Sequence, residues 1–216
     1  MNKILLISSG LEAIKDFVGR PPETLHMVFI PTAGNPDKDV WWIDKDRDVL
    51  TRMGFRYTEL DLASTPTERL TESLNDVDLI YIAGGYTYYL LEQIRNTGFD
   101  TVLAKFMERG RLYVGASAGA LIAGPDIEPC SSLDDPKYGP SLTSTKGIGL
   151  IDIVPMPHYD MSERSSAIEA IIAKYKDAYK VVPITDDEAI VSDGIDWHKV
   201  TSKRSKLEHA WFEKAH

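Results

Sequence analysis

The stretch Arg111-Leu112-Tyr113-Val114-Gly115-Ala116-Ser117-Ala118-Gly119-Ala120 decides how this chain is read. Its first half is a short run of branched and aromatic residues, the make-up of a buried strand. Its second half is built of small residues and continues as a helix-compatible segment. Gly115-x-Ser117-x-Gly119 therefore lies where a strand passes into a helix. In that setting the spacing has a mechanical meaning: a serine on a sharp strand-to-helix turn projects its hydroxyl above the carboxyl ends of the strands. Gly115, Ala116, Ala118 and Gly119 are small because the turn brings strand and helix backbones together. The helix that follows would aim its free N–H groups and positive dipole end at the same spot.

Outward from this turn, short apolar runs alternate with longer segments of helical spacing. Residues 3–8, 26–31, 55–61, 77–83 and 111–116 read as strands, bounded by Gly, Pro or charged clusters. Trp42, Val49, Leu50 and Met53 share one helix face, Leu90, Leu91 and Ile94 another, and Val102, Leu103, Phe106 and Met107 a third. This alternation implies right-handed crossovers and an α/β fold: a doubly wound, mostly parallel sheet flanked by helices. Residues 124–147, rich in Gly, Pro, Ser and Asp, read as one long irregular connection, a kind of loop that is often functional. A β-like run over 150–157, a helix carrying Ile168, Ile171, Ile172 and Tyr175, and short strands at 181–184 and 189–192 follow. Asp193-Gly194 is a hairpin turn signal. Ala210-Trp211-Phe212 fits either a terminal strand or an amphipathic helix. With no internal repeat, residues 1–216 read as one domain.

The chain carries 24 basic and 33 acidic side chains over 216 residues, a net charge of −9. Phosphate neutralisation needs a clustered basic face, so no nucleic-acid partner is expected. The one concentrated basic stretch, Lys199, Lys203, Arg204 and Lys206, reads as a solvated turn. Lone Cys130 excludes an intramolecular disulfide and any multi-cysteine metal site. No metal and no cofactor is expected. The run Ile4-Leu5-Leu6-Ile7 is too short for a signal-peptide core, and no window approaches the ~18 apolar residues of a membrane helix. The expectation is a cytoplasmic protein with no membrane partner.

A nucleophilic serine needs a base. Of the five histidines, His26 opens an early strand, and His198, His209 and His216 sit in the polar C-terminal stretch. His158 differs, because it ends an apolar run in Met156-Pro157-His158-Tyr159-Asp160 and precedes a helix. It too would lie at a strand's carboxyl end, where α/β sheets hold their ligands. Pro157 restricts the backbone just before it. A carboxylate of the corner Asp186-Asp187-Glu188 could accept the imidazole Nδ1–H and stabilise the imidazolium. Asp134, Asp135 and Asp160 compete for that part. Ala83-Gly84-Gly85-Tyr86-Thr87 closes another strand, and its glycines let a peptide N–H approach a ligand closely. Paired with the N–H of Ala118, it would make a two-donor oxyanion hole. No G-x-G-x-x-G follows the first strand and no G-K-[ST] occurs, so this is no nucleotide loop.

Taken in order, these pieces resemble the dipeptidase E family, the aspartyl dipeptidases, with cyanophycinases as more distant relatives. The resemblance runs through Phe29-Ile30-Pro31-Thr32-Ala33, Ala83 to Leu91, Gly115 to Ala120, Met156 to Tyr159 and Ile184 to Ile190. It implies a serine peptidase on a fold similar to class I glutamine amidotransferase domains, with serine in place of cysteine. It implies Ser117 as nucleophile, His158 as general base, Asp186 as the orienting acid, and Gly85 and Ala118 as oxyanion donors. Arg164, in Ser162-Glu163-Arg164, matches the arginine that follows the family's histidine and could hold a substrate carboxylate bidentately. The implied substrate is a dipeptide or short peptide, with N-terminal Asp as one option, and the implied assembly a monomer or homodimer. Asp186 is one methylene shorter than the Glu that aspartyl dipeptidases can carry. Ala116 stands where they often carry a bulky aromatic, which with Tyr86 argues against a strict preference for Asp. Two rival readings stand beside this one. An α/β-hydrolase esterase, with chain order Ser, acid, His, would pair Ser117 with Asp134 or Asp135 and His198. A non-catalytic amidotransferase-like binding module would keep the fold alone.

Overall fold

A computed structural model describes residues 3–215. The five residues of β1 (Lys3–Ile7) explain the layering. Side chains of a strand alternate between faces. Ile4 and Leu6 enter one hydrophobic cluster, and Leu5 and Ile7 enter the other. The neighbouring strands repeat this split, with Val28 and Ile30 against Met27 and Phe29, and Ile80 and Ile82 against Leu79 and Tyr81. A strand that is apolar on both faces must be covered on both, which is why these runs read as continuous rather than alternating.

The main sheet has seven strands in the order β3-β2-β4-β5-β1-β8-β9. Its parallel part comprises β3 (Arg56–Glu59), β2 (His26–Ile30), β4 (Leu79–Ile82), β5 (Leu112–Ala116) and β1. The hairpin of β8 (Glu188–Ser192) and β9 (Trp197–Thr201) adds two antiparallel strands at the β1 side, turning at Asp193-Gly194. On one face lie α1 (Ala13–Val18), α2 (Trp41–Arg52) and α8 (Lys206–Ala215), whose Ile14, Leu50 and Leu207 pack with the Leu5 face. The other face carries α3 (Thr67–Ser73), α4 (Thr87–Thr97), α5 (Phe99–Glu108), α6 (Ala118–Leu121) and α7 (Ser162–Tyr175).

Two expectations change, and one left open is resolved. The β-like run at 150–157 is a strand only at β6 (Val154–Met156), and it pairs with β7 (Val181–Pro183) in a separate two-stranded parallel sheet. Apolar content marked the segment as buried, but which sheet it joins is a tertiary choice. The segment around Ala210-Trp211-Phe212 is helical, as α8. The helix after Ser117 is a single turn, so little aligned dipole stands behind it. Residues 124–147 hold two short 3₁₀ turns, Glu128–Ser132 and Pro136–Tyr138, and one bridge between Asp126 and Lys146. Among the described residues no helix is long and apolar enough to cross a membrane.

Candidate active site

Parallel strands deliver their carboxyl ends to one edge of the sheet. Ser8, Gly84 and Ser117 are the first or second residues beyond β1, β4 and β5, and all three line the same cleft of about 830 Å³. Ser117 adopts φ 48° and ψ −105°, a conformation that costs free energy in an L-residue and persists only where the surroundings enforce it. Its N–H donates to the Ile7 carbonyl at 2.9 Å, so β1 holds the turn in place. A Cβ on Gly115 would collide with the Gly119 carbonyl, and one on Gly119 with the Ile82 carbonyl. The small residues of the motif are therefore required by backbone contact. Gly84 lies directly against Ser117, and Gly85 takes φ 143°, with the Ala33 carbonyl where a side chain would begin. The N–H groups of Gly85 and Ala118 donate to no acceptor among the described residues, which leaves both available to a ligand oxygen.

The imidazole arrives from the small sheet. Past the strand ends the β6–β7 pairing continues, with Ile184 N–H donating to Met156 O at 2.9 Å and Tyr159 N–H to Ile184 O at 3.1 Å. This sets His158 and Asp186 side by side. His158 has φ 64°, the other non-glycine residue with positive φ among those described. Its Nε2 lies 2.9 Å from Ser117 Oγ and its Nδ1 2.7 Å from Asp186 Oδ1. Hydrogen positions follow from partners. The ionised carboxylate can only accept, so Nδ1 carries a proton and Nε2 is free to accept from the serine.

Two residues of this corner have no site role in the sequence reading. Ser8, nearly fully buried, accepts the His158 backbone N–H at 2.8 Å and donates its own proton to Asp186 Oδ1 at 2.7 Å. One hydroxyl thus ties the His158 backbone to the Asp186 carboxylate across 150 and 178 residues of chain. Arg204 Nη1 reaches the other carboxylate oxygen, Asp186 Oδ2, at 3.4 Å. Burial opposes ionisation of Asp186, but His158, Ser8 and Arg204 outweigh it and hold the carboxyl below its ordinary value. The basic stretch read as a solvated turn is thereby corrected at Arg204, whose side chain is only 20% exposed. A serine after an apolar run looks like any turn, and an arginine in a polar tail carries no local sign of its partner.

The competing acids are engaged elsewhere. Asp187 accepts from the Arg204 backbone N–H and Nε, and Glu188 from Thr185 N–H and Lys199. Asp134 accepts the Thr87 N–H at 2.6 Å, Asp135 the Lys137 N–H at 2.9 Å, and Asp160 the Asp186 N–H at 2.8 Å. His198 sits on β9 beside a different cavity, of about 550 Å³, so the Ser117–Asp134–His198 pairing of an esterase is not assembled. His26 is on β2 and His209 on α8, whereas His216 lies outside the described residues. Arg164 stands in the first turn of α7 and lines the cleft. Burial raises the Asp134 carboxyl above its ordinary value, with Thr87 and the Arg164 charge opposing. Trp41, Trp42, Tyr86, Tyr138 and Phe212 give the cleft aromatic walls, and the 124–147 connection covers one side with Leu133 and Asp134. Among the described residues no three His, Cys, Asp or Glu side chains gather where they could hold a metal ion.

A strained serine at the carboxyl edge of a parallel sheet, touching an imidazole backed by a carboxylate, is the architecture of α/β serine hydrolases. Comparison with known proteins narrows that class. The model of Peptidase family S51 matches residues 4–200, and the chain belongs to this family: it is a serine peptidase of the peptidase E type. An uncharacterized peptidase of Listeria innocua is 33% identical over 165 residues, covering 76% of this chain and 79% of the relative. Peptidase E of Salmonella arizonae is 33% identical over 132 residues, covering 61% of this chain and 54% of that protein. The crystal structure of a candidate peptidase E protein from Listeria monocytogenes superposes with a TM-score of 0.86 at 27% identity, over 94% of this chain and all of that one. The family match ends at residue 200, before Arg204 and α8.

Proposed function

We propose that this peptidase hydrolyses dipeptides or short peptides with Ser117 as nucleophile, His158 as general base and Asp186 as the acid that orients it. One observation carries the reading: the unbroken line of contacts from Ser117 Oγ to His158 Nε2 at 2.9 Å and from Nδ1 to Asp186 at 2.7 Å. Ser117 Oγ attacks the peptide carbonyl while Nε2 takes its proton. The developing oxyanion is received by the N–H groups of Gly85 and Ala118, donors of a kind typically worth ~10²–10³ each in rate. The imidazolium, steadied by Asp186, then protonates the leaving amine. An acyl-enzyme remains, which water hydrolyses by the same steps in reverse. This chemistry uses no metal or organic cofactor.

The cleft volume suits a short peptide rather than a folded protein. Arg164 is the cation we assign to a substrate carboxylate, which it must hold against the field of a chain with net charge −9. The reading includes a monomer or homodimer acting in the cytoplasm, with no nucleic-acid or membrane partner. Hydrolysis of a panel of Xaa-Leu dipeptides, Asp-Leu among them, by wild type and Ser117→Ala tests activity and preference together. Cleavage by the wild type alone is expected. Equal cleavage by both would remove Ser117 from the mechanism. Arg164→Met should raise KM for Asp-Leu more than for Ala-Leu; an equal rise would place Arg164 at the C-terminal carboxylate that both share, and an unchanged KM for both would remove it from recognition.

A further inference from the structure

The segment after β9 returns to the catalytic edge as a strap. Ser202, fully buried, donates its hydroxyl to the Gly10 carbonyl at 2.6 Å and accepts the Ala13 N–H at 3.1 Å, while its own N–H donates to Asp187 O at 2.8 Å. Glu208, also fully buried, accepts the N–H groups of Leu11 at 3.1 Å and Ser205 at 2.6 Å. Both anchors grip the turn that follows Ser8. Between them the chain presents Arg204. Its backbone N–H and Nε bind Asp187 Oδ1 at 3.2 and 3.4 Å, and its guanidinium lies over the Phe212 ring at 5.3 Å. Phe212 in turn packs edge-on against Trp41 at 4.9 Å. A planar cation held on one side by a carboxylate and on the other by an aromatic face has little freedom left. A second guanidinium nitrogen, Nη1, meets Asp186 Oδ2, the oxygen that His158 and Ser8 leave open.

We infer that Arg204 is a positioning residue of this site: the C-terminal strap delivers its guanidinium to Asp186 and so keeps the carboxylate charged and aimed at His158. The inference rests on the reading of His158 and Asp186 as base and acid. It gives the stretch beyond residue 200, where the family match stops, a part in catalysis. The effect has a definite sign. A fixed positive charge beside the Asp186–His158 pair disfavours adding a proton to it, so removing the charge makes the pair easier to protonate. The other charged groups packed around the pair are Asp160, which takes the Asp186 N–H, and Asp187, which faces Arg204. Lys45 and Asp46 from α2, with Glu208 from α8 at 4.0 Å from Lys45, Arg164 from α7, and Asp134 and Asp135 from the 124–147 connection also stand in or beside the cleft. All of them remain in the variants below and form a constant background.

The test is the titration of the His158 imidazole in the intact protein, followed by ¹H–¹⁵N NMR, in wild type, Arg204→Met and Arg204→Lys. Arg204→Met keeps the stem over Phe212 and removes the charge, and Arg204→Lys keeps a cation. The midpoint is expected to rise by about 0.5–1 pH unit in Arg204→Met, roughly a three- to tenfold gain in proton affinity, and by less than half of that in Arg204→Lys. Arg204→Gln is the second neutral variant should Arg204→Met not fold, with the same rise expected. An unchanged midpoint in the neutral variant, or an equal shift in Arg204→Lys, overturns the inference. This titration needs no substrate. The nucleophile reading is tested separately by fluorophosphonate labelling of Ser117. A wild type whose Ser117 is not labelled removes that reading, while the titration still decides Arg204. With labelling present, its rate at pH 6 should fall about three- to tenfold in Arg204→Met and recover at pH 8.5.

Discussion

The Ser117 elbow and the His158–Asp186 corner meet at a 2.9 Å hydrogen bond, yet they are built in opposite ways. The elbow is local. Strand, strained serine and one-turn helix occupy consecutive residues from Leu112 to Leu121, and the glycines that permit the turn belong to the same ten-residue stretch. The corner is assembled from afar. Ser8, His158, Asp186 and Arg204 come from four separate segments, and Ser8 alone joins groups 150 and 178 residues away. A turn that must bring two backbones together dictates small residues in a fixed spacing. A cluster of side chains dictates nothing about which residues lie beside each member along the chain.

Substitutions can break that contrast from either side. The largest effect belongs to the elbow: Ser117→Ala should lower kcat/KM on any cleaved dipeptide by roughly 10⁴–10⁶-fold, with the thermal midpoint close to that of wild type. Ser8→Ala tests the corner. It strands the half-buried His158 N–H and removes one donor from Asp186, and leaving a buried group unsatisfied costs up to about 1–3 kcal/mol. A fall of roughly ten- to a hundredfold in kcat with KM little changed is expected, and kinetics equal to wild type would reduce Ser8 to a bystander. Gly119→Ala asks whether the elbow depends on backbone approach. The added methyl meets the Ile82 carbonyl, so a loss of about 1–3 kcal/mol in stability is expected by denaturant unfolding. If this variant is as stable as wild type, the small residues are not needed for contact.

Acid stability probes the corner more gently. Burial raises Asp186, while His158, Ser8 and Arg204 prevail and hold it below its ordinary 3.8. A group lowered in the folded state contributes its stability fully above the ordinary value and loses it as pH falls through the lower, folded one. Stability should therefore drop as pH falls below about 4, and Asp186→Asn should flatten that slope in melts taken across the range. Asp61, Asp78 and Asp126 are lowered in the same direction and add to the slope that remains. The smallest effect is none at all. Cys130 is buried and its thiol is pushed up by burial, so iodoacetamide at neutral pH should leave activity intact, as measured by residual hydrolysis after treatment.

Much of the fold was legible because parallel strands buried on both faces leave unmistakable apolar runs. Residues 3–8, 26–31 and 111–116 each enclose an observed strand. The helix stripes of α4 and α5 followed from spacing in the same way, with Leu90, Leu91, Ile94, Leu103, Phe106 and Met107 all buried. What escaped was partnership. The strand after Ile153 was visible as apolar, but its pairing with β7 outside the main sheet was not. The Asp186-Asp187-Glu188 corner was visible as acidic, and which carboxylate faces His158 was decided by where β7 ends and where Arg204 comes to rest on Asp187. The segment around Trp211 resolved into a helix because Trp211 finds Asp48 on α2 and Phe212 finds Trp41.

By itself the sequence determined the doubly wound α/β class, the serine elbow and the absence of any cysteine at the turn that could replace Ser117. These are consequences of periodicity and local sterics, which act over a few residues. Only the tertiary structure decided that Ser8 binds both the His158 backbone and the Asp186 carboxylate, that Asp186, to which the resemblance points, meets the imidazole while Asp187 meets Arg204, and that a polar tail carries Arg204 to the carboxylate. Hydrogen bonds and ion pairs act over about 3 Å in space and have no fixed separation along the chain. A reading of neighbours in sequence cannot contain them.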